Sequence, residues 1–345
     1  MRKLFVAVFS LVAAGFSPAF AETPATVTMG VINIQAATPI YLAVEKGYFK
    51  DAGVNVVIEP IESTGGAMPL LASGKLQLVV GGLNASYWNA LGKDLPVILA
   101  FGTASSPVYT VLMIRPDLAG TIKTAADFKG RSIASNAPGV TSVYQLAKLL
   151  ESANLTLKDA DVRYIPLTQM GIALNNHAID AALMSPPFSD RALDQKIAVK
   201  WIDFDDFVKP QPTVLGAFTA NSDWTKQSRD QAKRVFLAVG RGSRDYCQAY
   251  HHGPNRGEVE DVMVKYKLAR DRESVDGIAW QSRDPNGGLS AASLEDIQDV
   301  FFKEHLIEQK FPVKRIVDES FAADVAKELG PFEVVNKDSK DMGCR

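Results

Sequence analysis

Apolar residues along this chain fall into two alternating rhythms. Val27, Met29 and Val31 stand at every second position, with Thr28 and Gly30 between them, so residues 27–34 read as a half-buried strand. Short apolar runs at 54–61, 76–80, 97–101, 110–114, 132–135, 162–166, 180–184 and 214–219 predict further strands. The stretches between them carry apolar residues at three- to four-residue spacing, the helical period. Strand, helix, strand at this rhythm predicts an α/β fold with parallel sheets covered by helices. Beyond Trp224 the pattern turns mostly helical, over 228–250, 258–266, 293–304 and 318–329.

The N-terminus breaks the rhythm. Arg2 and Lys3 precede an almost wholly apolar run from 4 to 16, and Ala19, Phe20 and Ala21 fit the small-x-small cleavage rule. Residues 1–21 read as a cleaved signal peptide, because the run is shorter than the ~20 residues needed to span a bilayer. This predicts a soluble protein outside the cytoplasm. About 320 residues remain, enough for two domains. Lys and Arg total 37 against 39 Asp and Glu. That balance lacks the basic footprint of a nucleic-acid binder. Cys247 and Cys344 are the only cysteines. Whether they pair is a question of geometry that the sequence leaves open.

The strand-to-helix junctions carry the candidate chemistry. Thr38 and Pro39 open the first helix, with Thr38 as a cap and Pro39 at the first helical position. Ser63, Thr64, Gly65 and Gly66 open the second. Gly81, Gly82, Leu83, Asn84, Ala85 and Ser86 open the third, expected to stop at Gly92. Pro138, Gly139, Val140, Thr141 and Ser142 open the fourth, and Ser185, Pro186, Pro187 and Phe188 the fifth. Each helix start offers unpaired N–H groups and about half a positive charge. In open parallel sheets such junctions gather at the carboxyl ends of the strands, where ligands bind. Any one of them also reads as an ordinary capped helix. The set favours a ligand cleft.

Residues 71–80 and 174–183 echo one another, with His177 where the first copy has Gly74. Two related lobes would explain the echo; chance similarity of apolar strings is the alternative. Glu45–Lys46–Gly47–Tyr48–Phe49, then Gly53 and Val54, the turn at 63–66, and Gly74 before a strand resemble the nitrate/sulfonate/taurine family of periplasmic solute-binding proteins. Asp127–Phe128–Lys129–Gly130–Arg131 and residues 180–188 are similar to that family's second-lobe markers. Gln77 and His177 depart from it, where the family commonly has an acidic residue and Gly.

The resemblance spans about residues 25–240 and implies a class II periplasmic binding protein, within a superfamily that includes thiamine-pyrimidine-synthase-like proteins. It implies two Rossmann-like lobes joined by two crossover strands, with a solute in the cleft. Lobe one would be 25–113 plus 219–345 and lobe two 114–218, with crossings near 113–115 and 216–218. The implied partners are a membrane permease and its ATPase. The implied ligand contacts are Ala37, Thr38, Gly65, Gly66, Leu83, Asn84, Ala85, Gly139, Thr141, Ser142, Pro186 and Pro187. The reading is of a monomeric, non-enzymatic receptor without cofactor or metal. Its solute would be a small organic anion, sulfonate-like or aromatic-carboxylate-like, the latter suggested by Pro186, Pro187, Phe188, Tyr41, Tyr87, Trp88 and Tyr109. Tyr87 and Trp88 also read as core residues.

Weaker features point elsewhere. His251 and His252 are adjacent at a helix end, a poor metal pair and an expected solvated terminus. Arg163 and Arg191 are candidate partners for a ligand carboxylate, or else surface ion pairs. The basic stretch 241–256 reads as a solvated face or a permease contact. A sensing module feeding a membrane kinase would look the same in sequence. A pyrimidine-synthase-like enzyme would need a cysteine-rich segment that two distant cysteines do not supply, and no Gly-x-Ser-x-Gly elbow is present.

Overall fold

The alternation at the start of the chain is realised as β1 (Thr26–Val31), whose Val27, Met29 and Val31 are buried while Thr26 faces solvent. The structure is a computed structural model and describes residues 26–107, 110–204, 207–277, 280–336 and 343–345. The signal peptide and Tyr109 lie outside the described residues.

Two sheets of five strands form the two lobes. The first contains β1, β2 (Asn55–Pro60), β3 (Leu78–Gly82), β4 (Val97–Ser105) and β10 (Val214–Asn221) in the order β2-β1-β3-β10-β4. The second contains β5 (Val111–Ile114), β6 (Ser132–Ser135), β7 (Asp161–Tyr164), β8 (Ala181–Met184) and β9 (Val199–Asp203) in the order β7-β6-β8-β5-β9. In each sheet four strands run in one direction and one inserted strand runs antiparallel to both its neighbours: β10 in the first, β5 in the second. The segments expected to cross between lobes are instead inside the sheets, Met113 and Ile114 in β5 and Gly216 to Phe218 in β10. The chain passes over earlier, between Ser105 and Val111, and returns between Asp203 and Val214. β9 was not evident in the sequence. It is a short edge strand, and Lys200 and Asp203 interrupt its apolar residues.

Period-two alternation sorts each central strand onto two faces. Leu78 and Val80 join a core under the long helix Arg229–Tyr250, whereas Val79 joins a second core. In the other lobe Met113, Ala182 and Met184 pack under helix Leu167–Asn175, whereas Leu112, Ala181 and Leu183 join that same second core. One apolar core is therefore shared by both lobes. Trp88, Phe301 and Tyr144 meet in it, with ring centroids 5.5 and 6.5 Å apart around Phe301. Tyr87 and Trp88 are fully buried there, and the Tyr87 hydroxyl donates to the Ile316 carbonyl. Truncating one such aromatic costs about 3–5 kcal/mol.

Cys247 and Cys344 form a disulfide, tying the long helix to the C-terminal tail. His251 is buried rather than solvated, and its Nε2 donates to the Gly343 carbonyl at 2.9 Å; His252 is exposed. Arg244, in the stretch expected to be a solvated face, is part-buried against the Leu329 carbonyl and the Asn286 side chain. The third helix (Ala85–Gly92) runs through Gly92, and the left-handed residue that follows it is Asp94, φ 53°.

Candidate functional site

Between the two sheets lies a cavity of about 100 Å³, walled by both lobes. That is below the ~300–1,000 Å³ usual for drug-sized ligands. Gly81 and Gly82 at the end of β3, Thr103 and Ala104 in β4, and Leu215 and Gly216 in β10 form one side. Asn136 after β6, Val140, Thr141 and Ser142 at the next helix start, Leu183 in β8 and Ser185 just after it form the other. Among the described residues, the lining carries hydroxyls, amides and aliphatic groups but no charged side chain and no aromatic ring.

The five junctions contribute unequally. At the first, Ala36 lines the cavity, whereas Ala37 is packed away from it. Thr38 does not cap its helix (Thr38–Glu45); its hydroxyl turns back to donate to the Gln35 carbonyl at 2.7 Å. At the second, Ser63 accepts from the Gly66 N–H at 3.1 Å and caps helix Thr64–Ala72. Thr64 lines the cavity and donates to the Gly82 carbonyl at 2.9 Å, while Gly65 packs on the Asn84 side chain.

The third and fourth junctions meet each other across the lobes. Asn84 caps its helix by accepting from the Ser86 N–H at 2.8 Å and forms a β-bridge with Val140. The Ala85 N–H donates to the Gly139 carbonyl at 2.7 Å. The Thr141 hydroxyl lies 2.8 Å from the Leu215 carbonyl and 3.1 Å from that of Leu83. Leu83, Asn84, Ala85 and Gly139 therefore join the lobes beside the cavity, and only Thr141 and Ser142 of the expected contacts line it. The Ser142 hydroxyl is 2.8 Å from that of Ser135 and 3.3 Å from Asn136 Oδ1. At the fifth junction Ser185 lines the cavity, whereas Pro186 does not and Pro187 lines a separate groove with Asp190 and Arg270.

Of the aromatic side chains that suggested an aromatic solute, the described ones are elsewhere. Tyr41 stacks on Tyr266 at 4.1 Å, Tyr87 and Trp88 are core residues, and Phe188 lines an outer groove. Arg163 pairs with Asp161 at 2.6 Å, and Arg191 lines the outer grooves. Sequence reasoning missed Thr103, Asn136, Gln145 and Gln281. Gln281 arrives from the C-terminal third, where the helical rhythm gave no sign of a loop returning to the cleft. Among the described residues no group of three or more His, Cys, Asp or Glu side chains is arranged to hold a metal.

The fold recurs in solved structures. The alkanesulfonate-binding protein SsuA from Xanthomonas axonopodis pv. citri, bound to MOPS, superposes with a TM-score of 0.69 at 15% identity, covering 86% of this chain and 99% of that one. The periplasmic nitrate-binding protein NrtA from Synechocystis PCC 6803 gives 0.69 at 14% identity, covering 89% of each chain. The desulfurization enzyme DSZB gives 0.61 at 14% identity, covering 88% of this chain and 99% of the enzyme. At such identities the likeness is one of fold, that of the periplasmic binding proteins. No curated protein sequence matches. A sequence model described as NMT1/THI5 like matches residues 35–250, more than half of the chain, and the protein belongs to that family.

Proposed function

We propose that the protein is a periplasmic receptor that captures one small organic anion between its lobes and presents it to the permease and ATPase of an importer. The observation that carries this reading is the cavity between the carboxyl ends of strands from both sheets. A solute there touches both lobes only when they are together, so its binding energy favours the closed form. Several structural neighbours are importer receptors, for alkanesulfonates and for nitrate. The disulfide fits an oxidising compartment outside the cytoplasm.

The volume and the aliphatic lining favour a compact sulfonate or carboxylate over an aromatic one. Among the described residues the lining has no carboxylate, imidazole, thiol or amine to move a proton, which favours binding over turnover. The division into lobe one (25–113 plus 219–345) and lobe two (114–218) belongs to this proposal, shifted a few residues at each crossing to match the strands. The shared core around Trp88 and Phe301 would be the side on which the lobes stay joined during opening.

Titration calorimetry of the mature protein against short alkanesulfonates, short carboxylates, nitrate and aromatic carboxylates tests the reading. Saturable binding of one small anion per chain, with that anion recovered unchanged, is expected. Steady consumption of the solute would make the protein an enzyme, as DSZB on the same fold is. Failure of every compound to bind folded protein would end the receptor reading for anions.

A further inference from the structure

Behind the wall that Ala36 and Gln281 give to the cavity sits an arginine that no carboxylate among the described residues neutralises. Arg283 is 3% exposed. Its Nη1 donates to the Ala36 carbonyl at 3.2 Å, and its guanidinium carbon lies 4.0 Å from the centre of the Tyr246 ring. Its Nε and Nη2 are buried with no hydrogen-bond partner. The same is true of Gln35 Nε2 and Gln281 Oε1, and of Thr103 Oγ1 in the cavity lining. The two glutamines are in contact, since the Gln281 N–H donates to Gln35 Oε1 at 3.1 Å.

So many unmet groups in one place are unusual, because buried polar atoms are paired in the great majority of cases. An arginine cannot escape by shedding its proton. Burial does pull its pKa down, and the Tyr246 side chain is the one neighbour that opposes this. Burial also pushes the Tyr246 hydroxyl up to about 12, so that ring is neutral and supplies no counter-charge. No carboxylate of the described residues pairs with Arg283. A buried charge lacking a partner is strongly unfavourable. In a low-dielectric interior it also acts over several ångströms on whatever fills the adjoining space.

We propose that Arg283 is the counter-charge of the solute. The anionic head lies against the wall of Ala36 and Gln281, facing the free N–H groups of Arg283 and the amide of Gln35, and its aliphatic remainder points to Leu183 and Leu215. This rests on the receptor reading and adds which residue selects a negative charge, in a cavity whose described lining residues carry none. The solute class is a compact aliphatic sulfonate or carboxylate, bound in preference to its neutral amide.

The test uses the mature protein, Arg283→Met and Arg283→Lys, with ethanesulfonate, propionate and neutral propionamide as probes in calorimetry and thermal unfolding. Wild type is expected to bind an anion at least tenfold more tightly than propionamide. Arg283→Met should lose at least tenfold in anion affinity, and Arg283→Lys should lose less. Without ligand, Arg283→Met should melt no lower than wild type, because an unpaired buried charge has been removed; if it does not fold, the Lys variant and the amide comparison decide. Anion binding by Arg283→Met within threefold of wild type, or propionamide binding as tightly as the anions, overturns the proposal and leaves the receptor reading standing. If no probe binds, mass spectrometry of the solute carried by natively purified protein decides. An anion supports the proposal, and a neutral or cationic solute overturns it alone. Neither bound probe nor carried solute removes the receptor reading and this proposal together.

Discussion

Gln77 and Asp180 hold the same position in the two lobes, each one residue before the central parallel strand and each bracing the neighbouring strand. Gln77 Oε1 accepts the Thr28 N–H at 2.9 Å, and the Gln77 N–H donates to the Thr28 carbonyl at 3.0 Å. Asp180 Oδ2 accepts the Ser132 N–H at 3.0 Å, and the Asp180 N–H donates to the Ser132 carbonyl at 2.9 Å. Just upstream, Gly74 at φ 76° and His177 at φ 56° turn the chain through the same left-handed conformation. The echo between residues 71–80 and 174–183 is therefore structural. Gln77 keeps the acceptor that an acid would supply there, and its Nε2 adds a donor to the Gly74 carbonyl at 2.8 Å.

The two braces should differ in what they contribute. Asp180 also accepts from the Ser132 hydroxyl at 3.1 Å and from Arg115 at 3.2 Å, and it is part-buried. Asp180→Ala strands the Ser132 N–H and takes from Arg115 one of its two carboxylate partners, the other being Asp117, an expected loss of about 1–3 kcal/mol. Gln77→Glu keeps the acceptor and should lose about 1 kcal/mol or less, the net value of one hydrogen bond. Urea midpoints at unchanged m-value would read both. Equal losses would refute the difference between the braces.

Gly139 joins the lobes beside the cavity without lining it. Its φ is 62°, and a Cβ there would stand 2.6 Å from the Ala85 Cβ of the other lobe. Gly139→Ala therefore meets two costs, about 1–2 kcal/mol for an L-residue in the left-handed region and a collision that pushes the lobes apart. The expected result is weakened solute binding with circular dichroism unchanged. Adding Ala85→Gly should relieve the collision and restore part of the affinity, while the backbone cost persists. No rescue would mean that the contact with Ala85 does not limit closure.

Asp190 makes part of the stability pH-dependent. Burial raises its carboxyl pKa above the usual 3.8, the Ser189 hydroxyl hydrogen bond at 3.2 Å opposes that, and Asp194 adds to the rise while Arg270 lowers it. A raised folded pKa means the folded state holds the proton more tightly. The contribution to stability is then full below the unfolded value of 3.8 and is lost as pH rises through the folded value. Asp190→Asn removes the dependence, so it should match wild type in acid and be more stable than wild type near neutral pH. Urea unfolding of both proteins across that range is the check, and a variant less stable than wild type at neutral pH would reverse the assignment.

Much of this fold could be read from the chain because apolar period and glycine placement are local properties. Val27, Met29 and Val31 announce a strand wherever they occur. Gly47 and Gly74 take the left-handed conformation their positions imply. The lobes' shared core was not legible, since nothing in the spacing of Trp88 says that it meets Phe301. At the site the junctions were visible, but their orientation was not. The cavity takes Ala36, Thr64, Gly81, Gly82, Val140 and Ser185, often one or two residues before those expected, because the chain faces the cleft as the strand ends rather than where the helix is established. Gln281 and Arg283 belong to a loop whose path is fixed by tertiary contacts with Gln35 and Ala36, and no local pattern encodes those.

The disulfide ties the long helix to the C-terminal tail, and that tail docks on this loop. Cys247 and Cys344 are 97 residues apart in sequence, and both are buried. Closing a loop of that size restricts the unfolded chain by about 4–5 kcal/mol in the entropy model, and losses of about 2–5 are usual when native bridges are removed. In the folded state the bridge holds Gly343 under His251, and the Cys344 N–H donates to Ser282 Oγ at 2.9 Å, next to Arg283. Replacing both cysteines by Ser should therefore lower stability by roughly 2–5 kcal/mol and also weaken solute binding, because the cavity wall loses its tether. Because both sulfur atoms belong to buried residues, dithiothreitol alone should act slowly on the native protein and readily in moderate urea, where local opening exposes the bridge. A double variant with wild-type stability and affinity would show that the tail docks without the bond.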